Sequence, residues 1–179
     1  MIITIGGFAG SGKSTVADIV AKKLGWERIS AGDVFRKLAK EKEMLLEDFN
    51  EYAEEHPEID RELDKKILKM AGDEKVVIDG RLTGLLAKKN GLPCIAVWLD
   101  APLEVRAKRI VKREDKEYKT VMKEIQRRET SDWQRFWDLY TIDINDLSGY
   151  SLVIDTTYKT PEEIAAILLK KLEDDNVVT

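Results

Sequence analysis

Gly7-Phe8-Ala9-Gly10-Ser11-Gly12-Lys13-Ser14, with Thr15 after it, sets a glycine, four further residues and then Gly-Lys-Ser in one unbroken run. Glycines let a backbone curl until several N–H groups point at one anion. The start of a helix adds partial positive charge at the same place. Lys13 can bridge the two outer phosphates of a triphosphate. The Ser14 hydroxyl can meet Mg²⁺, which takes oxygen ligands and keeps some of its waters. The chemistry is the holding of a nucleoside triphosphate with magnesium, and Gly7 to Thr15 are its candidate residues.

A transfer reaction needs a second phosphate site made of arginine, and three segments offer one. In Ile29-Ser30-Ala31-Gly32-Asp33-Val34-Phe35-Arg36 a strand end leads into a helix whose early residues, Asp33 and Arg36, can face a cleft. The rival reading is an Asp cap with a solvated Arg. In Val76-Val77-Ile78-Asp79-Gly80-Arg81 an apolar strand ends in Asp, Gly and Arg. Gly80 permits close approach, Arg81 can reach a phosphate, and Asp79 can assist Mg²⁺ through water. A basic stretch follows: Arg106, Arg109 and Arg113 share one helix face, and Arg128, Asp132 and Arg135 share another. Ion pairing within each helix is the competing explanation. Arg113 and Arg128 are the candidates for charge stabilisation during transfer. A guanine-reading Asn-Lys-x-Asp segment is absent from the sequence, which argues against a GTP-dependent switch.

These groups need a scaffold that brings them to one edge. Short β-rich runs alternate with longer helical ones. Strands are expected at Ile2–Ile5, Arg28–Ser30, Val76–Ile78, Ile95–Leu99 and Leu152–Ile154. Helices are expected at 13–24, 33–42, 45–55, 58–71, 82–89, from Pro102 to about 113, at 118–139 and at 161–173. Thr160-Pro161-Glu162-Glu163 is a capping box with Pro at the first helical position. Strands separated by helices predict an α/β fold: a parallel five-stranded sheet flanked by helices, with right-handed crossovers. Ligands of such sheets bind at the carboxyl ends of the strands. The charged segments 35–72 and 114–147 read as helical inserts on a core of 1–34, 73–113 and 148–179, the whole making one domain.

Charge distribution fits two inserts of opposite sign. Between Glu41 and Asp64 there are 11 acids against Lys42 and Arg61, and between Glu104 and Arg135 there are 11 Lys or Arg against 7 acids. The acidic run reads as a solvated helical face. The 179 residues carry a net charge of −4, which argues against a general nucleic-acid partner. Apolar runs reach six residues, far short of the roughly 20 that span a bilayer, so no membrane partner is expected. Met1 leads into Ile2-Ile3-Thr4-Ile5 without a basic stretch, so a cytoplasmic protein is expected. The lone cysteine, Cys94, reads as core. His56, before Pro57, reads as a turn residue. Trp133 and Trp137, four apart, read as packing one side of their helix.

Taken together, these segments resemble the cytidylate kinases, in particular the compact archaeal type, over nearly the whole chain. The most discriminating stretch is Arg128-Glu129-x-x-Asp132-x-x-Arg135, similar to that family's Arg-Asp-x-x-Asp-x-x-Arg. The resemblance implies ATP as donor, Mg²⁺, and CMP or dCMP as acceptor, with UMP a further candidate. It implies phosphate roles for Arg36, Arg81, Arg128 and Arg135, and a ribose role for Asp132. It also implies that 35–72 binds the monophosphate and 114–147 acts as a lid, in a protein expected to be monomeric. Glu129 stands where many members have Asp, and Ala9 where many nucleoside monophosphate kinases have Pro. Asp79-Gly80-Arg81 lacks the longer form found in adenylate kinases. The alternatives are a kinase of another monophosphate or small molecule, and an ATPase that drives assembly or RNA processing.

Overall fold

Ile2, Ile3 and Ile5 are too apolar to face water on either side, and their strand lies at the centre of the sheet. The computed structural model describes residues 1–72 and 75–177. In it, β1 (Ile2–Gly6) is fully buried. It is joined by β2 (Glu27–Ser30), β3 (Val76–Asp79), β4 (Cys94–Asp100) and β5 (Leu152–Asp155) in the order β2-β3-β1-β4-β5. Every pairing is parallel. The connection leaving β1 runs toward β2, and the one leaving β3 runs toward β4. The crevice at their carboxyl ends is therefore the place where such a sheet takes its ligand. Register sets Ile5 and Ser30 on either side of Asp79.

One face of the sheet is covered by α1 (Lys13–Leu24) and α8 (Pro161–Asp174). Val16 and Val20 meet Ile164, Leu168 and Leu172 over Ile3, Ile5 and Val97. Each such side chain contributes about 1.5–3 kcal/mol by leaving water. The capping box at α8 is formed in both directions: Glu163 N donates to Thr160 Oγ1 at 3.2 Å, and Thr160 N donates to Glu163 Oε2 at 2.7 Å. The other face is covered by α5 (Thr83–Lys89), with Leu86 and Phe136 in the cluster around the buried Trp98.

The remaining helices form two layers beyond the core. The first is α2 (Ala31–Glu41), α3 (Leu46–Glu55) and α4 (Pro57–Ala71), held by Leu38, Phe49, Ala53 and Ile59. The second is α6 (Leu103–Glu114) and α7 (Tyr118–Tyr140), held by Ala107, Ile110, Val121 and Ile125. The core limits read at residues 73 and 179 lie outside the described residues.

Several elements depart from the sequence reading. Helix α2 begins at Ala31 rather than Asp33, because the Ser30 Oγ accepts from Asp33 N and caps the turn. A 3₁₀ turn at Leu147–Gly149 was not expected. The acidic face is solvated at most positions, but Asp60 is 4% exposed. Trp133 packs into the Trp98 cluster while Trp137 stacks on it 6.2 Å away and is 45% exposed. Cys94 is half-buried at the start of β4. His56 joins α3 to α4, stacked on Tyr52 and bonded to Glu58. Among the described residues no helix is long and apolar enough to cross a membrane.

Candidate active site

The turn after β1 is forced into shape by its glycines. Gly10 and Gly12 have φ of +81° and +89°, a region that favours glycine. A Cβ at Gly10 would also lie 2.6 Å from the Arg106 carbonyl oxygen. Gly12 is the N-cap of α1 with no side-chain cap, so the first N–H groups of the helix remain available to an anion. Ser11 is fully buried, and its Oγ has no hydrogen-bond partner among the described residues.

Among the described residues Lys13 meets only the Phe8 carbonyl, at 3.3 Å, and no carboxylate. Burial lowers its pKa to about 7, and the charges of Arg81 and Arg128 add to the effect against the opposing pull of Asp79 and Asp132. Arg128 has no hydrogen-bond or ion-pair partner among the described residues. Its guanidinium is lowered to about 10, first by the charge of Arg81 and then by burial. Lys13 and Arg128 thus lie near the positive charge of Arg81 without a carboxylate of their own among the described residues. A bound phosphate chain relieves that repulsion, so the residues present fit a triphosphate and a second phosphate beside it.

Asp79 ends β3 beside this cluster. It is 2% exposed and accepts from Ser14 Oγ at 3.0 Å, Ser30 Oγ at 3.3 Å and Arg28 Nε at 2.9 Å. Arg28 also pairs with Asp18 on α1 at 2.7 Å. Sequence reasoning missed Arg28, since nothing in the chain order links β2 to Asp79. Ser14 and Asp79 supply hard oxygen donors suited to Mg²⁺ with waters and phosphate oxygens. No group of three or more His, Cys, Asp or Glu suited to a metal occurs among the described residues.

The arginine segments converge in part. Arg81, at the carboxyl end of β3, pairs with Asp132 of α7, which is 2% exposed. Arg135 binds the other oxygen of Asp132 at 3.0 Å. Arg36 contributes to the field at Arg128 but is bonded to Asp33, whose carboxyl that guanidinium holds below the usual range. Gly80 is tightly placed: a Cβ there would stand 2.4 Å from Thr83 Oγ1 and 2.9 Å from the Ala31 Cβ.

Arg113 is not part of this cluster. It is exposed, pairs with Glu114, and lines a separate cleft of about 310 Å³ with Gly10, Gly12, Thr15 and Arg109. Arg106 and Arg109 serve the phosphate turn through its carbonyls. Arg106 donates to Ala9 O at 3.2 Å and Ala101 O at 2.9 Å, pairs with Glu129 of α7, and lies over the Phe8 ring. Arg109 donates to Gly10 O at 3.3 Å and Thr156 O at 2.6 Å. Helix α7 also touches α3 and α4, through Ser131 to Glu54 at 2.8 Å and Tyr140 to Asp64 at 2.5 Å.

A protein family described as the cytidylate kinase-like family matches residues 2–158. The chain is similar to the cytidylate kinase of Pyrococcus abyssi, at 46% identity over 94% of this chain and 91% of that protein. With that of Archaeoglobus fulgidus the identity is 48% over 97% of this chain and 95% of that one. Among solved structures, an uncharacterized protein from Eubacterium ventriosum has a TM-score of 0.74 at 20% identity, covering 97% of this chain and 98% of that one. Shikimate kinase from Acinetobacter baumannii in complex with shikimate has a TM-score of 0.62 at 16% identity, covering 99% and 95%. The structural likenesses bear on the fold alone. The fold, the phosphate turn and the match over most of the chain lead to one conclusion: the chain belongs to the cytidylate kinase-like family.

Proposed function

We propose that the protein transfers the γ-phosphoryl group of ATP to the phosphate of CMP or dCMP, as a cytoplasmic monomer that uses Mg²⁺. The observation that carries this reading is the set of uncompensated cations, Lys13 and Arg128, beside Arg81 and a buried Asp132. A plain ATPase has no need of a second arginine site with a carboxylate suited to a sugar hydroxyl. In this reading Gly7 to Thr15 cradle the donor and Lys13 neutralises its outer phosphates. Arg36, Arg81, Arg128 and Arg135 hold the acceptor phosphate, and Asp132 takes the sugar. When bound at Ser14 with Asp79 behind it, Mg²⁺ supplies charge neutralisation on the triphosphate.

An acceptor phosphate is already a good nucleophile, so no general base is required. One of its oxygens attacks the terminal phosphorus in line, and ADP leaves. Catalysis comes from alignment and from the arginines that neutralise the equatorial oxygens. Arg128 is the strongest candidate for that role, whereas Arg113 would act at the donor side. The inserts 35–72 and 114–147 would close over the substrates and exclude water.

The test is ADP formation from ATP and Mg²⁺ with CMP, dCMP, UMP, AMP, GMP and shikimate offered separately. Rapid turnover restricted to CMP or dCMP is expected. Turnover with shikimate alone, or no acceleration by any acceptor, would refute the proposal.

A further inference from the structure

Two neighbouring elements close on one buried carboxylate. Ser14 and Asp18 are four apart on α1 and share one face of that helix. Arg28 and Ser30 are two apart on β2 and share one face of that strand. Asp79 ends β3 between them, because β2 pairs with β3 in the register that sets Ser30 beside Asp79. Its Oδ1 takes the Arg28 guanidinium, with Nε at 2.9 Å and Nη2 at 2.8 Å. Its Oδ2 accepts the hydroxyls of Ser14 at 3.0 Å and Ser30 at 3.3 Å. An ionised carboxylate has about four lone-pair positions, and these contacts use them. Asp79 therefore keeps no oxygen for direct ligation, whereas Ser14 is exposed. The remaining nitrogen of Arg28, Nη1, is fixed from outside by Asp18 at 2.7 Å.

We propose that Arg28 is a positioning residue for the cation that accompanies the nucleotide: it holds Asp79 turned toward Ser14, and so leaves the Ser14 oxygen free to ligate. The inference rests on the reading above in which Ser14 meets Mg²⁺. A serine hydroxyl has one proton and two lone pairs. With the proton given to Asp79, the lone pairs remain for a cation. That requires Oδ2 to stand at Ser14, and the guanidinium on Oδ1 fixes the rotation. Arg28 also supplies the counter-charge that a buried carboxylate needs. A planar fork suits the task better than a point charge, since Arg28 spans Asp79 and Asp18 at once. No group of three or more His, Cys, Asp or Glu is gathered among the described residues, so the aim of Ser14 matters the more.

The experiment follows Mn²⁺, as a probe for Mg²⁺, by electron paramagnetic resonance as it binds the complex of the protein with ADP. Wild type, Arg28→Met and Arg28→Lys are compared, with ADP affinity in EDTA and thermal unfolding recorded for each. Both variants should weaken Mn²⁺ binding by about tenfold, the low end of the range for groups that support a metal ligand. ADP affinity in EDTA should be unchanged, because the backbone cradle holds the phosphates without Arg28. Arg28→Lys keeps the positive charge beside Asp79, and it carries the test if Arg28→Met does not fold. A parallel fall in Mn²⁺ affinity and in ADP affinity in EDTA would assign Arg28 a purely structural role and overturn the inference. Unchanged Mn²⁺ binding in either folded variant would do the same. So would tighter binding, which would mean that Arg28 keeps Asp79 off the cation instead of aiming Ser14. Ser14→Ala tests the underlying reading separately. If that variant binds Mn²⁺ as the wild type does, Ser14 is not a ligand, and the inference falls before Arg28 is considered.

Discussion

Replacing Arg106 by Met tests whether the phosphate turn and α7 are held as one unit. Arg106 is 4% exposed and makes three kinds of bond: to Ala101 O at 2.9 Å, to Ala9 O at 3.2 Å, and to the Glu129 carboxylate. Met keeps most of the alkyl packing, so the loss is chiefly polar. Breaking a buried pair by removing one partner costs about 3–5 kcal/mol. The Glu129 side chain is 24% exposed and can recover some hydration, which places the expected loss near the lower limit, about 3 kcal/mol. For a chain of this size that lowers the melting temperature by about 6–12 °C. Glu129→Gln leaves Arg106 its two carbonyl acceptors and should cost less. The double variant should cost less than the sum of the two, by about 1 kcal/mol or more. Urea unfolding of the four proteins, followed by circular dichroism, supplies the cycle. If Arg106→Met lies within about 1 kcal/mol of the wild type, or the two changes add, the pair does not couple α7 to the turn.

Lys13→Ala should abolish transfer while leaving the circular dichroism spectrum intact. At neutral pH it should not lower the melting temperature, because the depressed pKa makes the buried lysine a cost to folding there. The same residue predicts a proton linkage. Its pKa is about 7 in the free protein, and bound phosphates should raise it. Binding of ADP at pH 8 should therefore take up a proton, seen by calorimetry in buffers of different ionisation enthalpy, and Lys13→Ala should remove that uptake. Because the folded value is depressed, the unfolded chain binds more protons between about pH 7 and 10.5, and this group's contribution to stability rises across that window. Tyr140→Phe removes the hydroxyl that donates to Asp64, a carboxyl raised to about 6 chiefly by burial. That group's stability is full below the unfolded value near 3.8 and is lost as pH rises through about 6. The variant should lose more stability between pH 5 and 7 than the wild type in melting curves. An unchanged pH profile would remove Asp64 from the account.

The order of strands and helices was legible because each element carries its own local cause. The apolar run Val76-Val77-Ile78 can only be a strand covered on both faces. Glycine at positions 7, 10 and 12 before Lys13 can only serve a tight turn that opens a helix. Thr160 to Glu163 cap α8 with side chains three residues apart. The cations at 13, 36, 81, 128 and 135 were legible as types, since phosphate chemistry restricts which residues serve. Pairings across the fold were not. Arg28 reaches Asp79 only because β2 lies beside β3, 51 residues away in sequence. Arg106 and Arg113 share a helix and a residue type, yet one is buried under the phosphate turn and the other faces water. Asp60 is one acid among 11 between Glu41 and Asp64, and only the packing of α4 against α7 separates it from its solvated neighbours. Local chemistry is written in neighbouring residues, but which charges meet is decided by the tertiary fold, because burial and distance depend on segments far apart in the chain.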